Sequence, residues 1–479
     1  MGADETRPLA AAPAGPAAAL EDVGAEAAAV ASEDSYAAQL ETVRRLRASG
    51  ASAEAVRAAA ARLKELKRGA YEKLPRGTVG RRKKRRAALD AGVTVLDLDT
   101  SIKKRDAPAV ATYPPIDVPP TDEDGFVRAF DVPSSSEESA GEDLAFFNRY
   151  GFVVYRDALS AAECAATRDE IFAELERVYE TFDRNDHATY GSLPVETYGL
   201  APDPAVFTPR CVANRQHQNV ARCLARVLRV SETDLLVSHD RWCVYRPTRD
   251  VPGVGDRPDW KTRANLHLDL NPWTYGEKNE TDAFDDKTKD ASPSVAETLS
   301  FETLRDFSRE TNCVEARTGP HCQGVLMVAE NRVEDGGLRV VPGFHNCFHR
   351  WVRDGLGDDP SRFADAHDDW RRSRLVVRAG GAGSFKFGDD DAEIQRRAFR
   401  VAAREGSYVL WDQRLVHGTA PNDSSRPRMA QFVKGFRKSK VSAGRLARRS
   451  ERVRLEIKRA GAETEAVVSE LGRKLFGLE

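Results

Sequence analysis

Seven short β-rich runs, separated by turns rich in Gly, Pro and Asp, constrain the fold of this chain more than any other feature. They lie at residues 235–245, 264–270, 324–329, 338–341, 374–378, 407–411 and 428–436. Short runs with turn signals between them favour an antiparallel barrel or sandwich over a parallel, doubly wound sheet. No GxGxxG or P-loop pattern occurs to indicate a nucleotide-binding fold.

One of these runs, Asn265-Leu266-His267-Leu268-Asp269-Leu270, alternates polar residues with leucine. On a strand, His267 and Asp269 would therefore point to one face while the leucines pack behind them. An imidazole and a carboxylate on one face, together with one more distant histidine, have the composition of a facial triad of two histidines and one carboxylate. Such a triad leaves three positions of an iron ion open for a co-substrate and oxygen.

The third ligand is predicted near residue 417. The sequence from Gly406 to Asp412, followed by Val416-His417-Gly418, predicts a strand with His417 at its end. Arg428 lies 11 residues later and opens another alternating run. A guanidinium can hold a carboxylate through two parallel hydrogen bonds. The pattern therefore predicts an anchor for a dicarboxylic co-substrate whose other end chelates the metal.

Other residues compete for these roles. A second His-x-Asp match begins at His367, but it lies in Arg- and Asp-rich text without strand alternation, so we favour the first match. His345 and His349 are rival third ligands, although His345 ends a turn-like sequence and His349 has no matching carboxylate. Arg426 is a rival anchor, but Pro427 disrupts strand pairing and favours the later arginine.

The first part of the chain has a different composition. Residues 1–34 consist mainly of Ala, Pro, Gly and acids without apolar periodicity, which predicts a disordered leader. Residues 35–77 carry two helical stripes separated by a turn, which predicts a helical hairpin. Residues 41–90 contain sixteen bases and five acids, a net charge of +11. This charge suits a surface that docks RNA or another polyanionic partner.

The hairpin resembles a WHEP domain, the small helix-turn-helix appended to some aminoacyl-tRNA synthetases. The likeness rests on the text from Val43 to Ser52, on Leu63-Lys64-Glu65-Leu66-Lys67, and on Tyr71. It implies an arm that docks RNA or an aminoacyl-tRNA synthetase complex, with a solvated hairpin without a ligand as the alternative. Six consecutive cations from Arg81 to Arg86 then indicate either a nuclear-localisation or nucleic-acid tether or a simple soluble linker.

The rest of the chain is predicted to be a linker and one enzyme-sized body. Residues 78–125 form a basic and Pro-rich linker. The body occupies residues 126–479 and ends in a helical tail at 440–479. An acidic and polar insertion interrupts it at about 276–322. The insertion is either a lid that influences substrate choice or a surface loop without a catalytic role.

Several motifs of the body together resemble the phytanoyl-CoA dioxygenase family of iron(II)/2-oxoglutarate oxygenases, over most of residues 145–479. The matching text comprises Gly151-Phe152-Val153-Val154, the segments His267 to Thr274, Gly336 to His345 and Leu410 to Gly418, then Arg428, and the tail Leu471 to Leu478. The resemblance implies a mainly β protein with flanking helices (α+β). Its core would be a double-stranded β-helix, the jelly-roll or cupin-like barrel, with the small N-terminal helical hairpin added.

The same resemblance implies roles for site residues. His267, Asp269 and His417 would bind Fe(2+), and Arg428 would bind the far carboxylate of the co-substrate 2-oxoglutarate. Thr419 matches a position where the family often has a hydroxyl near the co-substrate. Halogenating relatives carry a small residue in place of the aspartate, so the aspartate implies a hydroxylase. The expected reaction uses O2 to hydroxylate a C–H bond of a small-molecule or lipid-type substrate, with release of succinate and CO2.

A function of another class is the alternative: a non-catalytic adaptor, in which the barrel is structural and the basic arm binds RNA or a synthetase complex. The chain has no run of eighteen apolar residues and no credible secretory signal. Its final residues are not a peroxisomal address of the Ser-Lys-Leu type. We therefore expect an intracellular protein without a membrane span, in the cytoplasm or the nucleus. Seven scattered cysteines without a CxxC pair argue against a disulfide framework and a structural zinc site.

Overall fold

The computed structural model of the chain describes residues 93–94, 117–134, 141–193, 206–273, 321–356, 363, 374–378, 383–388 and 391–479. The predicted leader, helical hairpin and run of six cations lie outside these residues, as do most of the predicted linker and of the predicted insertion. Those expectations stay predictions. The fold below is that of the body.

The described residues contain fourteen strands and nine α-helices. The strands are β1 (Val93–Thr94), β2 (Phe152–Tyr155), β3 (Leu235–Val237), β4 (Trp242–Tyr245), β5 (Asn265–Leu268), β6 (His321–Met327), β7 (Gly337–Val340), β8 (Leu375–Arg378), β9 (Gly383–Phe387), β10 (Phe399–Arg400), β11 (Tyr408–Asp412), β12 (His417–Ala420), β13 (Arg428–Phe432) and β14 (Gly435–Arg437). The α-helices are α1 (Glu142–Tyr150), α2 (Ala161–Val178), α3 (Pro209–Arg215), α4 (Gln218–Leu228), α5 (Phe348–Arg350), α6 (Ala392–Arg397), α7 (Ala443–Arg459), α8 (Thr464–Val467) and α9 (Glu470–Phe476).

The strands form two sheets. The first sheet has the order β1-β8-β9-β5-β12-β7-β10, and the second has the order β2-β11-β6-β13-β4, with β14 bridging β6 and β3. Every pairing between these strands is antiparallel. Successive strands cross from one sheet to the other, as β11, β12 and β13 do. This is the double-stranded β-helix, so the predicted fold class is confirmed.

Several elements of the sheets differ from the sequence-based expectation. The predicted strand around residue 411 does not end in His417, because β11 stops at Asp412 and His417 begins the next strand. The reversal is a turn in which Asp412 accepts a hydrogen bond from the Arg414 N–H at 2.7 Å and from the Leu415 N–H at 2.9 Å. The strand β9 (Gly383–Phe387) has no counterpart among the predicted runs, although its burial alternates with a period of two.

Alternate residues of the second sheet enter two different cores. On β6, Val325 and Met327 belong to a cluster that also contains Val340 of the first sheet. Leu326, between them, belongs to a separate cluster that it shares with Leu224 of α4. This is the period of two of a strand with both faces covered. One set of side chains thus fills the space between the sheets, and helices cover the outer face of the second sheet.

Local signals in the sequence set the ends of the covering helices. Ser160 caps α2 in a capping box: its hydroxyl accepts the Glu163 N–H, and the Glu163 carboxylate accepts the Ser160 N–H. Helix α1 ends at Gly151, whose φ is +82°. A Cβ there would lie 2.5 Å from Nδ1 of His345, so both backbone angle and space require glycine.

Within the part of the chain described, no helix is both long enough and apolar enough to cross a membrane.

Candidate metal centre

Two neighbouring strands of the first sheet place two histidines side by side. Strands β5 and β12 are antiparallel, and His267 and His417 are directly opposite each other in their register. The two imidazole centroids are 4.5 Å apart. Leu266 and Leu268 alternate with His267 and are buried in the opposite direction, so the leucines pack behind the site as the alternation predicts.

Asp269 completes a cluster of three possible ligands. It follows the last residue of β5, and its Oδ1 lies 3.4 Å from Nε2 of His267. Its Oδ2 lies 3.8 Å from Nε2 of His417. One ligand atom from each residue lies within 4.8 Å of the other two, and no other such group of His, Cys, Asp or Glu occurs among the described residues. The structure therefore brings together the three residues predicted to be metal ligands.

The protonation of His417 suits a ligand. Its Nδ1 lies 2.9 Å from the Leu415 carbonyl oxygen, which can only accept a hydrogen bond, so Nδ1 carries the proton. This leaves the lone pair of Nε2 directed toward Asp269. Burial and the nearby His267 lower the pKa of His417, which favours the neutral ring. Histidines that bind metals usually donate their other ring N–H to such a carbonyl or to a carboxylate, which fixes the tautomer and the direction of the ring.

Asp269 is ionised despite its enclosed position. Desolvation raises the pKa of this carboxyl, but the nearby Lys434 and His267 outweigh it and hold the pKa well below its ordinary value. The centre thus offers one carboxylate and two imidazoles, and His267 and Asp269 remain about a quarter to a third exposed. Two nitrogens and one oxygen of this kind fit a divalent first-row metal such as Fe(2+).

Arg428, the predicted co-substrate anchor, is the first residue of β13 and is only 2% exposed. Its Nε donates to Oδ1 of Asn331 at 2.6 Å, and one terminal nitrogen lies 3.0 Å from Sγ of Cys243. The guanidinium carbon lies 4.8 Å from the centroid of the Tyr245 ring. None of the described carboxylates lies within 4.0 Å of Arg428. A buried guanidinium held only by neutral groups fits a site for a bound carboxylate.

The backbone next to Arg428 makes room for its guanidinium. Gly337 has a φ of +91°, and a Cβ there would lie 2.2 Å from Nε of Arg428 and 2.7 Å from Oδ1 of Asn331. Any larger residue would displace both side chains. Gly337 thus helps to position Arg428, because it leaves room for the guanidinium. The Gly336-Gly337 pair in the sequence did not reveal this role.

Thr419 lies two residues after His417 on β12. Its backbone N–H donates to Oδ1 of Asn265 at 2.9 Å, and its hydroxyl is hydrogen-bonded to the hydroxyl of Tyr245. Because the Tyr245 ring also contacts Arg428, this tyrosine links both residues that were predicted to meet the co-substrate. The sequence analysis missed Tyr245 and Asn331, which lie outside every recognised motif.

Two further residues near the ligands were missed. Lys434 Nζ and Gln323 Nε2 lie 3.3 Å and 3.4 Å from Oδ2 of Asp269. Lys434 is six residues after Arg428, an even spacing that places both on one face of an extended chain. That spacing is the signal that could have identified Lys434. Gln323 offered no comparable signal.

The rival residues do not join the cluster. His345 lies beside the Asn148 carbonyl oxygen, 3.1 Å from its Nε2, and His349 packs edge-on against Phe348. Arg426 is 44% exposed and pairs with Asp335 at 2.7 Å. His367 lies outside the described residues.

Comparisons with known proteins agree on one family. The sequence profile of the phytanoyl-CoA dioxygenase family (PhyH) matches residues 304–430, which include His417 and Arg428 but not His267. A Dictyostelium discoideum protein whose name places it among the phytanoyl-CoA dioxygenases is 30% identical over 339 residues. That alignment covers 70% of this chain and 86% of the relative.

Solved structures were also matched, at low sequence identity. SnoK, a non-heme, α-ketoglutarate-dependent carbocyclase of nogalamycin biosynthesis, is 17% identical, with 64% of this chain and 86% of that chain covered and a TM-score of 0.34. The apo form of EctD from S. alaskensis is 17% identical, with 63% of this chain and 78% of that chain covered and a TM-score of 0.32.

Proposed function

Because the chain belongs to the phytanoyl-CoA dioxygenase family, we propose that it is an iron(II)- and 2-oxoglutarate-dependent dioxygenase. It hydroxylates a C–H bond of a small-molecule or lipid-type substrate and releases succinate and CO2. The observation that carries this proposal is the pairing of the three-ligand cluster with the buried Arg428, which has no described carboxylate partner.

Each residue has a defined part in this function. His267, Asp269 and His417 would hold the metal, and the Leu415 carbonyl keeps His417 in the tautomer that presents Nε2. Bound iron(II) supplies the redox chemistry that couples decarboxylation of 2-oxoglutarate to oxidation of the substrate. Arg428 would hold the distal carboxylate of 2-oxoglutarate by a bidentate ion pair.

The surroundings of the site add to binding. The hydroxyl of Thr419 would donate a hydrogen bond to the same co-substrate. This bond would replace its present hydrogen bond with Tyr245. The apolar cluster between the sheets, which includes Val340 and Met327, excludes water from the inner end of the site.

An anaerobic titration of the purified protein with iron(II) and 2-oxoglutarate tests the proposal. We expect the weak visible charge-transfer band of the chelate in the wild type. The His267→Ala variant should lose the band, and Arg428→Ala should need far more 2-oxoglutarate to form it. Arg426→Ala is the matched control and should behave like the wild type, since Arg426 lies on the surface. A wild type without a band at saturating ligands would instead favour the non-catalytic adaptor.

We also propose that residues 35–90 form a basic arm that binds RNA, supported by the net charge of +11 over residues 41–90. Binding through many cations weakens steeply as the salt concentration rises. Fluorescence anisotropy with a labelled transfer RNA, at two salt concentrations, measures this for the full chain and for a variant with the six residues Arg81 to Arg86 changed to serine. Equal affinity of the two proteins at both salt concentrations would contradict the proposal.

A further inference from the structure

The inner face of the second sheet carries a lysine and a glutamine opposite Asp269. Lys434 lies between β13 and β14, where the hydrogen bond from Val433 N–H to the Gly324 carbonyl (3.0 Å) and the pairing of Gly435 with Cys322 fix the register. This register places Lys434 beside Gln323 on the neighbouring strand. Because strand residues alternate, both point to the side on which Arg428 lies.

Both side chains meet the same oxygen of the carboxylate. Lys434 Nζ lies 3.3 Å from Oδ2 of Asp269, and Gln323 Nε2 donates to that atom at 3.4 Å. The other oxygen, Oδ1, lies 3.4 Å from Nε2 of His267. Oδ2 thus receives two donors from the second sheet and lies 3.8 Å from Nε2 of His417, while Oδ1 faces His267 without a donor from the second sheet.

Burial favours the pairing of Lys434 with Asp269. The Lys434 side chain is 9% exposed, and Asp269 is the one described carboxylate within 4.0 Å of its ammonium. A buried ammonium is stable only when it is paired. Its backbone is also held, since Lys434 N–H donates to Oγ of Ser238 and Ser238 N–H donates to the Lys434 carbonyl, both at 2.9 Å.

Gln323 is oriented by Asp269. Its side chain is fully buried, and its Oε1 has no hydrogen-bond partner among the described residues. The contact of its amide N–H with the carboxylate is therefore what sets the orientation of the amide. The reverse orientation would place two oxygens against each other and leave the carboxylate without this donor.

The strand ladder does not hold Asp269 itself, because β5 ends one residue earlier, at Leu268. The direction of its carboxylate depends on side-chain contacts. A carboxylate with two free oxygens can bind a metal through both and then occupies two positions. If one oxygen is occupied by two donors, only the other is available, and the three protein ligands leave three positions open.

We propose that Lys434 and Gln323 are positioning residues that clamp Oδ2 of Asp269 and so make it a one-oxygen ligand. This inference rests on the proposed function. Three protein ligands leave three positions open on the metal, of which 2-oxoglutarate would occupy two and oxygen the third. The clamp comes from the second sheet and the ligand from the first, so the coordination mode depends on how the two sheets pack.

The experiment compares Lys434→Met and Gln323→Met with the wild type. Both changes keep a side chain of similar length and remove the donor. Cobalt(II) is titrated first without 2-oxoglutarate, because its visible absorption reports coordination number. 2-Oxoglutarate affinity is then measured anaerobically with iron(II). Lys458→Met, an exposed change on α7, is the matched control, and Lys434→Arg is the conservative rescue variant.

Both methionine variants should bind cobalt(II) with an altered absorption spectrum and should bind 2-oxoglutarate about tenfold more weakly, the usual scale for losing an outer-shell partner. Lys434→Arg should restore most of the affinity, and Lys458→Met should match the wild type. Wild-type spectra and affinities in both methionine variants would overturn the clamp.

The clamp and the proposed function fail in different ways. If the wild type binds cobalt(II) but never 2-oxoglutarate, the proposed function fails. The cobalt(II) spectra of the variants then still decide whether Lys434 and Gln323 control the coordination of Asp269. If one methionine variant does not fold, by circular dichroism, the other methionine variant and Lys434→Arg decide the same point.

Discussion

The two sheets of the barrel contribute opposite chemistry to the site. The first sheet presents the candidate metal donors His267, Asp269 and His417, two imidazoles and one carboxylate. The second sheet presents Arg428 and Lys434, which are cations, and the amide of Gln323. Neither sheet therefore forms the site alone. In the proposed function, the first sheet would hold a cation and the second sheet would hold a carboxylate of the co-substrate.

The two contributions also differ in depth. His267 and Asp269 are 25% and 31% exposed in their side chains, whereas Arg428 is 2% exposed as a residue. Two of the three candidate metal donors are therefore nearer to solvent than Arg428, while His417 is nearly as buried as Arg428. Substitutions that affect one sheet and spare the other can test this division.

The largest effect is expected from His417→Ala, which removes a buried ligand from the first sheet. Metal binding should weaken by more than about 100-fold, beyond the range for outer-shell changes. 2-Oxoglutarate binding should be lost with it, because one end of the co-substrate needs the metal. Metal content after anaerobic dialysis, with circular dichroism as the check on folding, measures the result. His367→Ala, the second sequence match, is the control and should retain metal.

Arg428→Lys should affect the second sheet alone. Lysine keeps the positive charge but cannot form two parallel hydrogen bonds with a carboxylate. The binding free energy of 2-oxoglutarate should weaken by about 1.5–3 kcal/mol, or roughly 10- to 150-fold in affinity. Cobalt(II) affinity should remain within about threefold of the wild type, since this is less than 1 kcal/mol. Arg426→Lys is the paired control. Equal loss of cobalt(II) and 2-oxoglutarate binding would contradict the division between the sheets.

Gly337→Ala should combine backbone strain with displacement of Arg428. The positive φ costs about 1–3 kcal/mol of unfolding free energy, and the added Cβ would overlap the guanidinium. Gly255→Ala separates the two causes, because Gly255 has a φ of +81° with no atom within 4 Å of the added Cβ. Urea unfolding should show both variants destabilised. Only Gly337→Ala should lose 2-oxoglutarate affinity, and a loss in Gly255→Ala would show that strain alone explains it.

The smallest effect is expected outside both sheets. Ser160→Ala removes the cap of α2 and should lower the free energy of unfolding by about 1 kcal/mol. Metal and 2-oxoglutarate affinities should not change. Arg177→Ala, which breaks an exposed pair with Glu174 on the same helix, should cost less than about 0.5 kcal/mol. A clear change of 2-oxoglutarate affinity in Ser160→Ala would mean that α2 also sets the geometry of the sheets.

The fold was largely predictable because strand signals are local. Alternation and turn residues identified the strands of the second sheet, including β6, β11 and β13, but only β5, β7 and β8 of the first sheet. The prediction failed at the turn after Asp412, where a side-chain contact with Arg414 reverses the chain and makes His417 the start of a strand. No alternation signal reveals such a reversal, because it depends on a carboxylate bonding to the backbone two residues later.

The site was predictable in part, and for a similar reason. His267 and Asp269 are two residues apart, so a strand alone places them on one face. The choice of His417 and Arg428 needed the resemblance to a family. Lys434 and Gln323 stayed unrecognised because they are 165 and 54 residues away from Asp269 in sequence, although hydrogen bonds join them to it.

The sequence by itself determined the antiparallel sheets, the shared face of His267 and Asp269, and the cap of α2, since each depends on residues within a few positions of one another. Only the tertiary structure decided which oxygen of Asp269 faces Lys434 and Gln323, which groups hold Arg428, and why no side chain fits at Gly337. These features arise where the two sheets face each other. The physical reason is that contact across a closed core depends on register and packing, which short-range periodicity does not encode.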